Sequence, residues 1–236
     1  MTPSEHASTE PTLGAPAARV WYTRDVMAVA LDLLGATITS RSPEGDVTVR
    51  LTEVEAYGGA DDPGSHAYRG RSARNEVMYA EPGRLYVYRH LGLHHCLNVV
   101  AQPTGSAAAV LLRAGQVVEG AELAWRRRGA AGVVDNERQL ARGPGRLAVC
   151  LGLDVGANGS DVTELGGSIV VRRRPEGSVV PAHRQGPRVG VSGAGGDAGR
   201  HPWRFWLAGD PTVSAYRPAY RSPTRSTAPG GAAAPA

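Results

Sequence analysis

Residues 47–57 read Val47-Thr48-Val49-Arg50-Leu51-Thr52-Glu53-Val54-Glu55-Ala56-Tyr57, and this stretch decides how the rest of the chain folds. Its alternation of side chains predicts a strand, in which every second residue lies on the same face. The face that begins with valine and leucine ends with Glu53, Glu55 and Tyr57, so we expect it to point toward the core. A carboxylate near a core needs a partner, and a base with a shifted pKa is often placed in this way. The alternative is that the strand twists out to solvent and both glutamates are ordinary surface charges.

Further elements are predicted on both sides of this strand. Residues 25–34 predict a helix that Asp25 caps and Gly35 closes. A strand at 36–40 is joined to 47–57 by a turn at 43–46. The other predicted strands are 84–88, 93–100, 107–113, 169–173, 188–191 and 204–207, and the other helices are 118–128 and part of 138–153.

This order of elements predicts a mixed α/β (α+β) fold. We expect a single domain with a curved, mostly antiparallel sheet, surrounding helices and a protruding β-hairpin. The domain is predicted at residues 20–220. Residues 1–18 and 221–236 are rich in small residues and proline and are predicted to be disordered tails.

Composition excludes several classes of protein. The chain has 236 residues, of which 42% are hydrophobic and 20% charged, as in an ordinary globular protein. It contains no apolar run of about 20 residues, no secretory signal pattern and only two cysteines, so we expect a cytoplasmic protein without disulfides or a membrane span. All 26 basic residues are arginine, so no lysine side chain can form a Schiff base. The net charge of +4 favours polyanionic partners only mildly.

A polar loop and an arginine-rich stretch follow the strand. The loop at 58–66 ends in His66, and an isolated loop histidine is more often a surface residue than a functional one. The next stretch mixes arginines with aromatic residues, a combination that suits phosphate contact and base stacking but also a plain solvated surface. Its members are Tyr68, Arg69, Arg71, Arg74, Asn75 and Tyr79.

The predicted hairpin of 84–88 and 93–100 presents Leu91 and Gly92 at its tip. An apolar tip exposed to solvent suits a wedge that enters between base pairs, whereas the alternative is that Leu91 folds back onto the core. His94 and His95 are adjacent, so on a strand they face opposite ways and cannot bind one metal ion together. No metal-binding spacing is present, and we predict no metal site.

Arg113 closes the apolar strand at 107–113. An arginine in that position is expected to be partly buried and to need a carboxylate, for which Glu53 and Glu55 are the candidates. A structural salt bridge and a catalytic pairing are both consistent with this pattern.

Taken together, these stretches resemble the alkyladenine (3-methyladenine) DNA glycosylase family. The resemblance covers nearly the whole chain between the tails, in the order found in the family. The matching residues are Thr52-Glu53-Val54-Glu55-Ala56-Tyr57, His66, Arg74-Asn75, Pro82-Gly83-Arg84-Leu85-Tyr86-Val87-Tyr88, Cys96-Leu97-Asn98, Leu111-Leu112-Arg113-Ala114, Gly143-Pro144-Gly145-Arg146-Leu147, Arg188-Val189-Gly190-Val191 and Pro202-Trp203-Arg204-Phe205.

The resemblance implies a role for each matching position. Glu55 would be the general base that activates a water, and Arg113 and the backbone carbonyl of Val189 would help to hold that water. The resemblance also implies a base pocket of Tyr57, His66, Tyr88, Asn98 and Leu111 and a DNA wedge at Leu91. The arginine-rich stretch itself predicts DNA-backbone contacts from Arg71, Arg74 and Asn75. Leu91 departs from the family, whose best-known members carry tyrosine there, and the loop at 192–197 is looser than usual.

The resemblance therefore implies a base-excision-repair DNA glycosylase that hydrolyses the N-glycosidic bond of alkylated or deaminated purines in double-stranded DNA. We expect base flipping, no lyase activity, no cofactor, a monomer, and a cytoplasmic, nucleoid-associated location. Two alternatives stay open: a lesion-binding protein without catalysis, and a hydrolase of free nucleosides or nucleotides.

Overall fold

In the computed structural model, residues 13–179 and 181–219 are described. Within these ranges the chain contains four helices: α1 (Arg19–Tyr22), α2 (Val26–Leu33), α3 (Ala121–Ala131) and α4 (Pro144–Leu151). The strands in the same ranges are β1 (Thr37–Ser42), β2 (Gly45–Tyr57), β3 (Leu85–His90), β4 (His94–Ala101), β5 (Ala108–Glu119), β6 (Ala141–Arg142), β7 (Ile169–Arg172), β8 (His183–Gly186) and β9 (Arg204–Leu207).

All these strands belong to one antiparallel sheet. Six of them follow the order β3-β4-β5-β2-β1-β7, while β6 pairs with β5 and β9 joins β2 to β8. The long β2 strand is therefore shared: it pairs with β1 and β5 and, at its carboxylate end, with β9. The predicted α+β class, with one domain and a mostly antiparallel sheet, is confirmed.

Helices α2, α3 and α4 cover one face of the sheet and form the main core with it. The core-facing residues of β5 are Ala108, Val110 and Leu112, and those of β4 are Leu97, Val99 and Ala101. Because side chains alternate along a strand, the residues between these point to the opposite face, where the candidate site lies.

The set of β2 side chains that points to the core changes partway along the strand. Val47, Val49 and Leu51 belong to the main core, but farther along the core residues are Val54 and Ala56. The pairing with β5 shifts on both sides of Glu53, and such an irregularity reverses which side chains face the core. The prediction that the carboxylates share the face of Val47 and Leu51 was wrong, because the register shift turns Glu53 and Glu55 to the other face. Both glutamates are nevertheless fully buried, so the surface-charge alternative was wrong as well.

Several predicted boundaries need correction. The helix predicted at 118–128 begins only at Ala121, because the preceding residues pair with β2 until Gly120, whose φ of 74° ends the strand. Residues 188–191, predicted as a strand, form an irregular loop, since Arg188 uses its side chain to anchor that loop. The adjoining strand β8 was not predicted. The helix that Asp25 caps was predicted correctly: the Asp25 carboxylate accepts hydrogen bonds from the backbone amides of Met27 and Ala28.

The ends of the chain are described only in part. Of the two predicted tails, residues 1–12 and 221–236 lie outside the described residues. In the rest of the N-terminal segment, Pro16 pairs with Arg172 and the Ala17 amide donates to the Val171 carbonyl. None of the helices in the described ranges combines the length and the hydropathy that crossing a membrane requires.

The core position of Leu112 gives a first test of the fold. Leu112 is fully buried between the sheet and the helices, so Leu112→Ala removes apolar contacts and leaves a cavity. We expect the free energy of unfolding to fall by about 2–5 kcal/mol in urea denaturation. Leu165→Ala is the matched control, because Leu165 is 58% exposed and its truncation should change the value by less than about 0.5 kcal/mol. Equal effects of the two substitutions would contradict the assigned core.

Candidate active site

A cavity of about 420 Å³ opens on the face of the sheet opposite the main core. Its volume lies within the range of small-molecule binding sites. Strands β2, β3, β4 and β5 each contribute side chains to it, and the loops at 58–84 and 187–192 form its walls. The residues that the argument below uses are Glu55, Tyr57, His66, Tyr88, Asn98 and Arg113.

Glu55 lies at the floor of this cavity, and both of its carboxylate oxygens have partners. Oε1 accepts a hydrogen bond from the backbone amide of Val189 at 2.7 Å and lies 3.3 Å from a guanidinium nitrogen of Arg113. Oε2 accepts from the Tyr57 hydroxyl at 2.9 Å. Burial and the Glu55 charge raise the pKa of Tyr57 well above its ordinary value, so this hydroxyl keeps its proton and acts as a donor. Glu55 is thus a buried carboxylate with fixed orientation.

Arg113 holds the second carboxylate as well, and the two predicted partners both contact it. Its Nε donates to Oε1 of Glu53 at 2.7 Å, and the same oxygen accepts from Nε of Arg204, also at 2.7 Å. Ser214 completes the shell of Glu53 through its backbone amide and hydroxyl. Burial acts to raise the pKa of Glu53, but Arg113, Arg204 and Ser214 outweigh it and hold this pKa below its ordinary value. Glu53 is therefore a permanent counter-ion, and each of its two carboxylate oxygens accepts at least one hydrogen bond from the protein.

A second buried ion pair fixes the wall of the cavity. Arg188 makes two hydrogen bonds to the Asp62 carboxylate, at 2.5 and 2.7 Å, and both residues are fully buried. The same guanidinium donates to the carbonyls of Ala56 and Gly195 and lies 4.5 Å from the centre of the Tyr57 ring. The pair ties the loop after β2 to the loop that carries Val189, and so places the Val189 amide against Glu55.

Three aromatic rings stand on the side of the cavity formed by β3. Nδ1 of His66 is 3.0 Å from the Tyr86 hydroxyl, and the His66 ring packs edge-on against Tyr88 with the ring centres 4.5 Å apart. Partial burial, with the positive charges of Arg74 and His90, lowers the pKa of His66 to about 4. The His66 ring is therefore neutral at neutral pH. A neutral ring beside a tyrosine suits an aromatic ligand that carries its own positive charge.

Two residues on β4 and β5 complete the floor beside Glu55. Asn98 is buried and its Nδ2 donates to the carbonyls of Tyr86 and Cys96, at 3.0 and 3.4 Å. These bonds leave Oδ1 as the atom that Asn98 can offer to a ligand. Leu111 adds an apolar surface directly opposite Asn98 in the β4–β5 register.

The hairpin of β3 and β4 carries Leu91 at its tip, 80% exposed. Leu91 does not fold back onto the core, so the alternative proposed for it was wrong. Its φ of 48° lies in the left-handed region, which costs a leucine about 1–2 kcal/mol. Leu93, on the other side of Gly92, is 71% exposed, so two leucines project from this tip.

The three predicted DNA-backbone residues lie in different environments, since two are exposed and one is buried. Arg71 is exposed and forms an ion pair with Glu76, and Arg74 is exposed with its guanidinium 5.4 Å from the centre of the Tyr88 ring. Asn75 is buried instead: its Nδ2 donates to the carbonyls of His66 and Gly70, and its Oδ1 accepts from the Ser72 amide. The side chain of Asn75 shapes the loop and is not available at its surface.

Sequence reasoning did not assign four of the residues that build this site. Tyr86 could have been found, since it lies two residues before Tyr88 on the same face of the strand. No local signal marked the Asp62–Arg188 pair, whose members are 126 positions apart, or the contact of Arg204 with Glu53 across 151 positions. Long-range ion pairs of this kind require the three-dimensional fold.

The chain belongs to the methylpurine-DNA glycosylase family, whose pattern it matches over residues 20–211. This finding confirms the predicted family and the predicted enzyme class, a glycosylase that acts on DNA.

Three similar proteins carry the name "Putative 3-methyladenine DNA glycosylase". The protein of Streptomyces avermitilis is 51% identical over 205 residues, which cover 86% of this chain and 92% of that protein. The protein of Leifsonia xyli subsp. xyli is 49% identical over 212 residues, 89% of this chain and 96% of its own length. The protein of Mycobacterium tuberculosis is 46% identical over 206 residues, with 85% and 94% covered.

The role of Glu53 as a counter-ion predicts a large effect on stability. Glu53→Gln leaves Arg113 and Arg204 without their shared charge, and we expect the free energy of unfolding at pH 7 to fall by about 3–5 kcal/mol. Because the pKa of Glu53 is lowered on folding, its contribution is present above the pKa of an unfolded glutamate and is lost as pH falls through the folded-state value. The difference between wild type and variant should therefore shrink in acid.

Urea denaturation between pH 7 and pH 3 checks this prediction. Glu164→Gln is the control, since Glu164 is exposed and should behave like wild type throughout. A difference that stays constant in acid would show that Glu53 stabilises the fold without its charge.

Proposed function

We propose that this glycosylase removes alkylated or deaminated purines from double-stranded DNA by flipping the damaged nucleotide into the cavity and hydrolysing its N-glycosidic bond. The observation that supports the proposal most strongly is the position of Glu55. It is a buried carboxylate at the floor of a base-sized cavity, oriented by Arg113, Tyr57 and the Val189 amide. Such fixed polar groups in a site shielded from water are the basis of transition-state stabilisation.

In the proposed step, a water bound at Glu55 attacks C1′ of the flipped nucleotide. Glu55 takes the proton of the water, a C–O bond forms, and the bond between C1′ and the purine nitrogen breaks with its electron pair passing to the base. An N3- or N7-alkylated purine carries positive charge, so it leaves as a neutral molecule, whereas a deaminated purine leaves as an anion that takes up a proton from solvent water. The negative charge of Glu55 also stabilises the positive charge that develops on the sugar, and the carbonyl of Val189 is proposed as a further acceptor for the water.

The lining of the cavity is suited to a cationic purine. Tyr57 and Tyr88 offer aromatic faces, and His66 is neutral at neutral pH, so no positive ring opposes the ligand. Leu111 adds apolar contact. Asn98, with Oδ1 free to accept, is proposed as the residue that crowds the exocyclic amino group of an undamaged guanine.

The proposed substrate is the duplex polymer, since two features outside the cavity have no use with free nucleosides. Leu91 projects from the hairpin and would fill the gap that the flipped nucleotide leaves, and the exposed Arg71 and Arg74 would contact phosphates beside it. We propose that the enzyme acts as a monomer on the bacterial nucleoid. Because the chain has no lysine side chain for a Schiff base, we propose hydrolysis without lyase activity.

Glu55→Gln tests the proposed base. Glutamine keeps the shape and an oxygen acceptor for the Val189 amide but cannot take a proton. We expect single-turnover base release from a duplex with one 7-methylguanine or hypoxanthine to fall by about 10²–10⁴-fold or more, with duplex affinity within a few-fold of wild type.

Three measurements accompany this variant. Glu164→Gln should release the base at the wild-type rate, and a free alkylated nucleoside should turn over far more slowly than the duplex. Intact strands after base release would agree with the absence of lyase activity. A Glu55→Gln enzyme with wild-type rate would refute the assigned base. A wild-type protein that binds the lesion duplex without releasing the base would favour a lesion-binding protein.

Leu91 is tested through duplex affinity. Leu91→Tyr supplies the aromatic stacking that leucine lacks, so the dissociation constant for a lesion duplex should fall by the equivalent of about 1–2 kcal/mol. Leu91→Ala removes the wedge and should raise it. Leu165→Ala provides an exposed leucine outside the hairpin as the control. If neither substitution at Leu91 changed the affinity, the wedge would be disproved.

A further inference from the structure

Two histidines form the last pair of the β3–β4 hairpin before its turn, between the cavity and the leucine tip. His90 is paired with His94 in the strand register, and both side chains are exposed. Strand alternation places them on the same face as Tyr88 and Cys96, which line the cavity. His90 itself lines the rim of the cavity, and its ring centre is 6.3 Å from that of Tyr88.

The surroundings of this pair are positive. Arg74 contributes its charge to both His66 and His90, and the first turn of α4 lies against His94, where a Cβ on Gly145 would be 2.9 Å from the His94 Cβ. The titratable groups that face the pair are Tyr88 on β3, Cys96 on β4, and His66 and Arg74 on the loop between β2 and β3. In the described part of the chain, neither histidine nor Arg74 forms an ion pair with a carboxylate.

A cluster of this composition without an acid partner is suited to an anion. Partial burial, the neighbouring His94 and Arg74 all disfavour a proton on His90 and lower its pKa below the ordinary value. A bound phosphate reverses this balance, because it favours the charged imidazolium. The rim of the cavity is also where the backbone of a strand with a flipped nucleotide must pass, since the base enters below it.

We propose that His90 and His94, together with Arg74, form a phosphate subsite for the DNA backbone beside the flipped nucleotide, and that DNA binding at this subsite takes up a proton. The proposal deepens the proposed function and rests on the entry of a flipped base at this cavity. The ligand chemistry is a phosphate group, which a phosphodiester or free inorganic phosphate could supply.

The direction in which DNA affinity changes with pH follows from the uptake of a proton on binding. His90 is mostly neutral in the free enzyme at neutral pH, and the bound phosphate raises the pKa of its ring, so the complex carries more protons than the free partners. Affinity should therefore rise as pH falls toward 6, by up to about tenfold per pH unit for one proton taken up. His66, whose pKa is about 4, titrates below this window.

The experiment measures the dissociation constant of the full chain for a duplex with an uncleavable abasic-site analogue, from pH 5.5 to 8.5 at constant ionic strength. For wild type we expect tighter binding by about three- to tenfold from pH 7.5 to pH 6. The His90→Gln/His94→Gln double variant should lose this dependence and bind more weakly at pH 6 but nearly equally at pH 8. His183→Gln, on the exposed strand β8, is the matched control and should follow wild type.

Further measurements distinguish a DNA-phosphate subsite from a free-phosphate site and from a purely structural role of the histidines. At pH 6, the logarithm of the affinity should fall less steeply with the logarithm of the salt concentration in the double variant. The slope should differ by up to about one, since one phosphate contact is lost. Binding of millimolar inorganic phosphate that depends on both histidines but leaves duplex affinity unchanged would show a free-phosphate site and overturn the assignment to DNA. Weaker binding by the same factor at every pH would also overturn it, because a purely structural role does not titrate.

Failure of this proposal is separable from failure of the proposed function. If Glu55→Gln abolishes base release while wild-type affinity is independent of pH, the subsite alone is refuted. If Glu55→Gln retains base release while affinity follows the histidines, the assigned base fails and the subsite stands.

Discussion

The ion pair of Arg113 with Glu53 and Glu55 is the constraint on which the rest of the structure depends. One guanidinium holds two fully buried carboxylates, at 2.7 and 3.3 Å. Buried charges are costly unless they are paired and hydrogen-bonded. The fold meets this requirement with donors from distant segments, and in doing so it joins the end of the described chain, at Arg204 and Ser214, to strand β2.

The two glutamates are chemically identical but have different surroundings. Glu53 is enclosed by two arginines and Ser214, and its lowered pKa marks it as charged under all ordinary conditions. Glu55 has a single arginine contact, and its other partners are the Tyr57 hydroxyl and the Val189 amide. Glu53 is therefore held by more donors than Glu55, and it shares its negative charge between Arg113 and Arg204. The register shift in β2 is what brings both residues to the cavity face.

Much of the site could be predicted from the sequence, but for partly wrong reasons. Alternation along residues 47–57 identified Glu53, Glu55 and Tyr57 as neighbours, yet it assigned them to the core face, because a bulge leaves no trace in simple periodicity. Most of the strands, the capped helix at Asp25 and the hairpin tip followed from local patterns, whereas β8 was missed and residues 188–191 were wrongly predicted as a strand. The Asp62–Arg188 pair and the burial of Asn75 could not be predicted, since each depends on contacts between loops whose conformation is set by the whole fold.

The distribution of charge would allow one surface to accept both the polyanion and the cationic base of the proposed function. Near the floor of the cavity the buried arginines Arg113, Arg188 and Arg204 are matched by Glu53, Glu55 and Asp62, so this region is close to neutral overall. At the rim, Arg74 and the histidines have no such match among the described residues. A phosphate backbone is therefore attracted to the rim, whereas a positively charged purine meets no net repulsion farther in. Exchanging the two environments would leave the rim without attraction for the backbone and would repel the cationic base from the floor.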